Sequence, residues 1–228
     1  MKLKDGSEVK DPRLGRLVSF DERSLKFASM PLIEDLGYRT KYWVMPWVLD
    51  QGNTSMCVGN AWTGEAIAEP VSVPNLDEAV AQDIYHAAQE VDEWPGHNYE
   101  GTSVLAGAKV MKSRGFITSY RWALSADDAV KSIMYYGPGV MGCNWLENMF
   151  DPTSDYFLDV SGDSAGGHAI LVYGVQLGAD GKPAYVLVKN SWGPMWGRYG
   201  SAKIHMNDFA KLLADDGEFC IPVGRQYP

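Results

Sequence analysis

The stretch KNSWGPMWG, Lys189–Gly197, decides how this chain is read. Working outward from it, GGHAI at residues 166–170 carries His168, and DQGNTSMC at residues 50–57 carries Gln51 and Cys57. Glutamine, cysteine, histidine and asparagine therefore follow one another as Gln51, Cys57, His168 and Asn190. Each has an ordinary structural reading: a cysteine packed at a helix start, a strand histidine, a turn-capping asparagine. Their joint order and local contexts point instead to a thiol nucleophile with a base and amide side chains to serve it.

Composition narrows the field. Apolar residues make up 46% and charged residues 21% of the 228, as in ordinary globular chains. The 24 glycines, 8 tryptophans and 12 tyrosines imply many turns and large aromatic packing units rather than a simple bundle. A formal charge of −9 leaves no basic stripe to neutralise phosphates, so nucleic acid is not an expected partner. The N-terminal MKLKDGSEVKDPRLGR lacks the apolar run of a signal peptide, and no segment approaches the roughly 20 apolar residues of a membrane helix. A cytoplasmic protein with no membrane partner is expected. Cys57, Cys143 and Cys220 are odd in number and lack metal-ligand spacing; a Cys143–Cys220 disulfide is the minor option in a reducing compartment. Neither a metal nor a cofactor is expected, and the oligomeric state is unspecified.

The pattern divides the chain. Residues 1–45 are charged and irregular, with Pro12 and Pro31 interrupting any long helix. CVGNAWTGEAIAE predicts a helix over 57–69, stopped by Pro70. Asn75 and Glu78 suggest the cap and capping-box partner of a second helix over 76–91. A third is predicted over 103–113, ending at Gly115, and a fourth over 126–136 behind Ser125. Beyond these, GVMGCNW, HAILVYGV, AYVLVKN and SAKIHM read as strands, with FCIPV a weaker one. Helices first and strands later predict an α+β protein.

These motifs resemble the papain family of cysteine peptidases over roughly residues 43–220, SWGPMWGRYG being the most specific part. The resemblance implies a two-lobed fold, with a mainly helical lobe over 46–126, a mainly β, barrel-like antiparallel lobe over 127–228, and residues 1–45 as an extension or belt. The active-site cleft lies between the lobes, and the substrate is a peptide or protein. It implies a Cys57 thiolate stabilised by the helix start and by protonated His168. Asn190 orients the imidazole, Trp192 shields that bond, and Gln51 with the Cys57 backbone N–H forms the oxyanion hole. Gly101, Thr102 and Ser103 flank the bound peptide, while Val104, Gly142 and Ala169 line its second pocket. Arg225 is placed near the pocket floor, favouring an acidic substrate side chain.

Departures from the family pattern are informative. Thr54, Val58 and Gly162 stand where members carry a half-cystine, a tryptophan and a half-cystine. Cys57 and His168 are 111 positions apart, against roughly 130–150 in the usual arrangement, which implies trimmed loops. Residues 1 to about 40 are too short for the usual inhibitory prosegment and are expected to form a belt, or else to occlude the cleft. The pattern is similar to disulfide-free papain-like peptidases of bacteria and their phages, so a phage-encoded or virion-associated origin is an option. GDSAGG, residues 162–167, mimics a serine-protease motif but lacks its histidine partner, and reads as a flexible approach to His168. His86, His97 and His205 read as surface or packing residues. The alternative functions are an inactive papain-like scaffold acting as a binding or phage structural module, and a related Cys–His amidase or isopeptidase.

Overall fold

The computed structural model describes residues 1–3, 5–19, 36–94 and 99–228; His97 and Pro31 lie outside the described residues. Helix α1, Cys57–Ile67, is buried along its whole length, which suits the central helix of a helical layer. Met56 provides no side-chain cap, so the first-turn N–H groups remain free for the site. Helix α2, Glu78–Val91, starts later than predicted. Its cap is Asp77, whose carboxylate accepts from the Ala79 and Val80 N–H groups. Asn75 instead takes a left-handed turn conformation, and Glu78 accepts from the Asp50 N–H. Helix α4, Ala126–Tyr135, carries its serine cap at Ser125 as predicted, whereas α3, Val104–Ser113, starts one residue later than predicted because Ser103 is its cap.

All the strand pairings in the sheet are antiparallel. The predicted strands are β3 (Gly139–Leu146), β4 (Ser164–Leu177), β5 (Pro183–Lys189), β6 (Ser201–His205) and β7 (Glu218–Arg225). Four elements were not predicted: β1 (Lys41–Tyr42), β2 (Ile117–Trp122), α5 (Met206–Ala214) and a 3-10 turn, Glu147–Met149. Only the ends of β2, Ile117 and Trp122, are buried, so its alternation is weak. The predicted SAKIHM strand stops at His205, where α5 begins and turns Phe209 and Leu212 into the core. The sheet order is β2-β7-β3-β4-β5-β6, with β1 on β4. The sheet is open rather than barrel-like: among the described residues, β2 and β6 end the ladder without pairing to each other.

Strand β4 joins two cores. Ile170 and Val172 face a core shared with α4, α5 and the aromatics Trp145, Trp192 and Trp196. The alternate residues Ala169 and Leu171 face a second core around Val58, Trp62 and Met111. Because the two faces of one strand serve two layers, the start of α1 and the start of β4 are brought together. A second link is the buried pair between Glu65 of α1 and Arg225 of β7, at 2.5 Å.

Candidate active site

Cys57 opens α1 and is fully buried, with backbone N–H groups of Gly15, Ala169 and Val58 at its sulfur. His168 lies on β4 next to Ala169, whose backbone N–H meets the Cys57 sulfur. His168 Nε2 and Asn190 Oδ1 are hydrogen-bonded at 2.9 Å, and the same oxygen accepts from the Ser191 N–H at 2.8 Å. Asn190 thereby becomes a fixed acceptor for the ring. Trp192 lies against the imidazole with centroids 4.9 Å apart, and Trp145 meets it edge-on at 4.8 Å. The bond is walled off from both aromatic sides, and Trp145 is the wall that sequence reasoning missed.

Gln51 is held by the opened motif itself. Its N–H donates to the Ser191 carbonyl at 2.8 Å, and the Ser191 hydroxyl donates to Gln51 Oε1 at 2.7 Å. The amide nitrogen then points the other way, to the carbonyls of Thr54 at 2.6 Å and Arg13 at 3.1 Å. Ser191 was inside the quoted stretch, yet its partner is 140 residues distant, so no local pattern reveals the bond.

A strap from the N-terminal segment lies across this site. Arg16 N–H donates to the Gly167 carbonyl at 3.0 Å, Leu17 N–H to the Thr102 carbonyl at 2.9 Å, and Thr102 N–H to the Gly15 carbonyl at 3.0 Å. Gly101 and Thr102 therefore flank a peptide segment, in a parallel bridge between Arg16 and Thr102. Gly167 permits the approach: a Cβ there would sit 2.1 Å from the Arg16 carbonyl oxygen. Within GDSAGG, residues 164–167 thus open β4 as a rail for the strap rather than a flexible approach. Ser103 turns its hydroxyl to cap α3, accepting from the Ala106 N–H at 3.1 Å. Arg13 stacks over Trp192 at 4.0 Å and pairs with Asp11 at 2.7 Å.

Burial sets the protonation state of the covered site. Desolvation pushes the Cys57 thiol above its ordinary value, with the surrounding N–H groups opposing it only in part. Desolvation also pulls His168 down to about 4, although the Asn190 bond and the nearby Arg13 carbonyl favour the charged ring. Burial thus favours the neutral form of both groups. The cause is the dry environment beneath the strap.

The pocket beside Gly142 differs from expectation. Arg225 is not at its floor: it binds Glu65 and the carbonyls of Tyr136 and Pro138. Glu218, which pairs with Gly142 across β3 and β7, stands there with Arg16 of the strap. Val104 and Ala169 are fully buried in the adjoining core. The three cysteines are free, so no Cys143–Cys220 bridge forms. His86 and His205 are exposed, His205 stacking on Phe157. Among the described residues, no cluster of three His, Cys, Asp or Glu side chains could hold a metal, and no helix is long and apolar enough to cross a membrane.

A family model described as papain family cysteine protease matches residues 82–216, well over half of the chain, and the chain belongs to that family. The matched span contains His168 and Asn190; Gln51 and Cys57 precede it. A cathepsin B-like cysteine proteinase 5 of Caenorhabditis elegans is 30% identical over 87 residues, 38% of this chain and 25% of that protein. The chain therefore spans about a quarter of that relative's length. Xylellain, a cysteine protease from Xylella fastidiosa, superposes with a TM-score of 0.67 at 17% identity, covering 96% of this chain and 99% of its own. The bromelain protease of Ananas comosus, in complex with the E64 inhibitor, gives a TM-score of 0.58 at 13% identity, covering 81% and 100%. At these identities the structural likenesses establish the fold.

Proposed function

We propose that the chain hydrolyses peptide bonds through Cys57, with His168 as its proton-transfer partner, and that the strap holds the site latent. The observation that carries this reading is the Arg13 carbonyl, a peptide carbonyl accepting from Gln51 Nε2 at 3.1 Å beside the start of α1. A peptide carbonyl held by that side-chain amide supports reading Gln51 as a donor to a developing oxyanion. Once the strap lifts and water returns, the thiol passes its proton to His168 and the sulfur adds to the substrate carbonyl carbon. The C–N bond then breaks, the imidazolium protonates the leaving amine, and an acyl-cysteine thioester remains. Water deprotonated by His168 releases the acid and restores the thiol. Asn190 keeps the ring aligned through both steps. Gly101, Thr102 and Gly142 border the substrate path, and Trp192 covers the His168–Asn190 bond.

The test is covalent labelling of the purified protein with an epoxysuccinyl inhibitor of the E64 type, followed by mapping of the adduct. Labelling at Cys57 that His168→Ala abolishes supports the reading. A Cys57→Ala protein that still cleaves peptides at the wild-type rate would end it.

A further inference from the structure

The outer face of the sheet carries a pocket that the proposed reaction does not use. Along β5 and β6, Val186, Val188, Ala202 and Ile204 turn into the core. The alternate residues Tyr185, Leu187, Lys189, Ser201 and Lys203 face the other way and line a depression of about 470 Å³. Five of the chain's 12 tyrosines border it: Tyr42, Tyr156, Tyr173, Tyr185 and Tyr199. Its charged lining is Lys189, Arg198 and Lys203 without a carboxylate, although the whole chain has 29 acidic against 20 basic side chains. Lys189 Nζ donates to the Tyr199 carbonyl at 2.9 Å and lies 5.6 Å from the centre of the Tyr173 ring. Lys203 Nζ lies 5.5 Å from the centre of the Tyr185 ring. Among the described residues, none of these three cations forms an ion pair.

We propose that this pocket is an exosite that holds an acidic, aromatic-containing segment of the protein substrate, away from the bond being cut. The substrate role rests on the peptidase reading. An acidic chain that gathers three cations and keeps carboxylates out of one depression sets up a local field opposite to its average, and that field draws in anions. Lys189 is half-buried, and desolvation pulls its ammonium down to about 8. A carboxylate entering beside it favours the charged form and opposes that desolvation. The tyrosine rings offer flat faces for an aromatic side chain, and their hydroxyls can donate to carboxylates. Tyrosine and arginine are also the side chains that protein-binding surfaces concentrate. The position suits a substrate contact, because Lys189 lines the pocket while the next residue, Asn190, bonds to His168. No strap residue lines the pocket, so the strap does not block it.

The experiment uses the full chain and a labelled decapeptide alternating glutamate and tyrosine, with a glutamine–tyrosine decapeptide as the neutral control. By fluorescence anisotropy the acidic peptide should bind about tenfold or more tighter than the neutral one, and more weakly as salt is raised. Arg198→Gln combined with Lys203→Gln should weaken that binding by about tenfold. Added in trans, the acidic peptide should slow cleavage of casein, an unfolded acidic protein, and leave a short dipeptidyl-coumarin substrate untouched. The double variant should lose about tenfold in kcat/KM on casein alone. Equal binding of the two peptides, binding that survives the double substitution, or inhibition of both substrates alike overturns the inference and leaves Cys57 catalysis standing. So does a pocket that takes polygalacturonate in preference to the peptide, which makes its ligand an acidic sugar. If the acidic peptide binds as expected but neither substrate is cleaved, by the wild type or by Gly15→Ala, the peptidase reading fails and the substrate role with it.

Discussion

The Ser191 hydroxyl donates to Gln51 Oε1 at 2.7 Å, and this bond decides which end of the Gln51 amide faces the start of α1. With the oxygen engaged, both N–H donors are directed toward the Thr54 and Arg13 carbonyls. Ser191→Ala frees the amide to rotate. Peptide hydrolysis should fall by about tenfold in kcat with little change in KM, whereas Gln51→Ala should lose about 10²–10³-fold. Alkylation by iodoacetamide displaces a halide and needs no oxyanion donor, so its rate at Cys57 should be unaffected in both variants. Slower alkylation in Ser191→Ala would mean that the serine supports the local fold rather than the donor.

The strap can be removed by one methyl group. A Cβ on Gly15 would lie 2.1 Å from the Ser55 carbonyl oxygen, a contact that backbone on both sides cannot relax. Gly15→Ala should therefore displace the strap, and with it Leu14 from the core shared with α4 and α5. The alkylation rate of Cys57 should rise by at least about tenfold, with a lower urea midpoint because Leu14 and Leu17 lose their burial. An unchanged rate would show that something other than the strap shields the thiol.

How far the sequence could be read follows from the range of each interaction. Helix α4 was legible because Ser125 and its apolar face lie within one local window, and the Ser125 hydroxyl does accept from the Asp128 N–H at 3.1 Å. The residues now bonded as His168 and Asn190 were legible because each sits in a distinctive local motif. The start of α2 was misplaced because two candidate caps stand two positions apart, and the left-handed turn at Asn75 settles the choice for Asp77. Arg16 and Glu218 are 202 positions apart, and nothing in either neighbourhood names the other. The same distance effect put Arg225 at the wrong pocket: it lies seven residues beyond Glu218 on β7, and only the sheet register shows which of them faces Gly142.

Glu65 and Arg225 tie the helical layer to the last strand through a pair whose side chains are 1% and 8% exposed. Burial raises the Glu65 carboxyl pKa, and the guanidinium opposes that rise. Arg225→Met leaves the carboxylate enclosed without its cation, which should cost about 3–5 kcal/mol in unfolding free energy. Adding Glu65→Leu to that variant should restore much of the loss, since the uncompensated charge is then gone. Urea unfolding of the two singles and the double measures the coupling. Additive losses would place the pair's role elsewhere than in mutual compensation.

The covered histidine makes the strap responsive to acid. Beneath the strap His168 binds its proton only near pH 4, because burial disfavours the charged ring, whereas a hydrated imidazole does so near 6.5. The strapped state thus gains stability from the neutral ring above about pH 6.5 and loses it progressively as the pH falls toward 4. The open state binds the proton first through that window, so acidification favours release of the strap, by about 3 kcal/mol once the window is crossed. Asp11 acts later: its bond to Arg13 holds its carboxyl below the ordinary 3.8, so protonating it loosens the strap only in stronger acid. The measurement is the rate of Cys57 labelling by an epoxide in wild type divided by that in Gly15→Ala, which removes the intrinsic pH dependence of the thiol. The ratio should climb toward one between pH 6.5 and 4. A flat ratio across that range would mean that strap release is not coupled to protonation of His168.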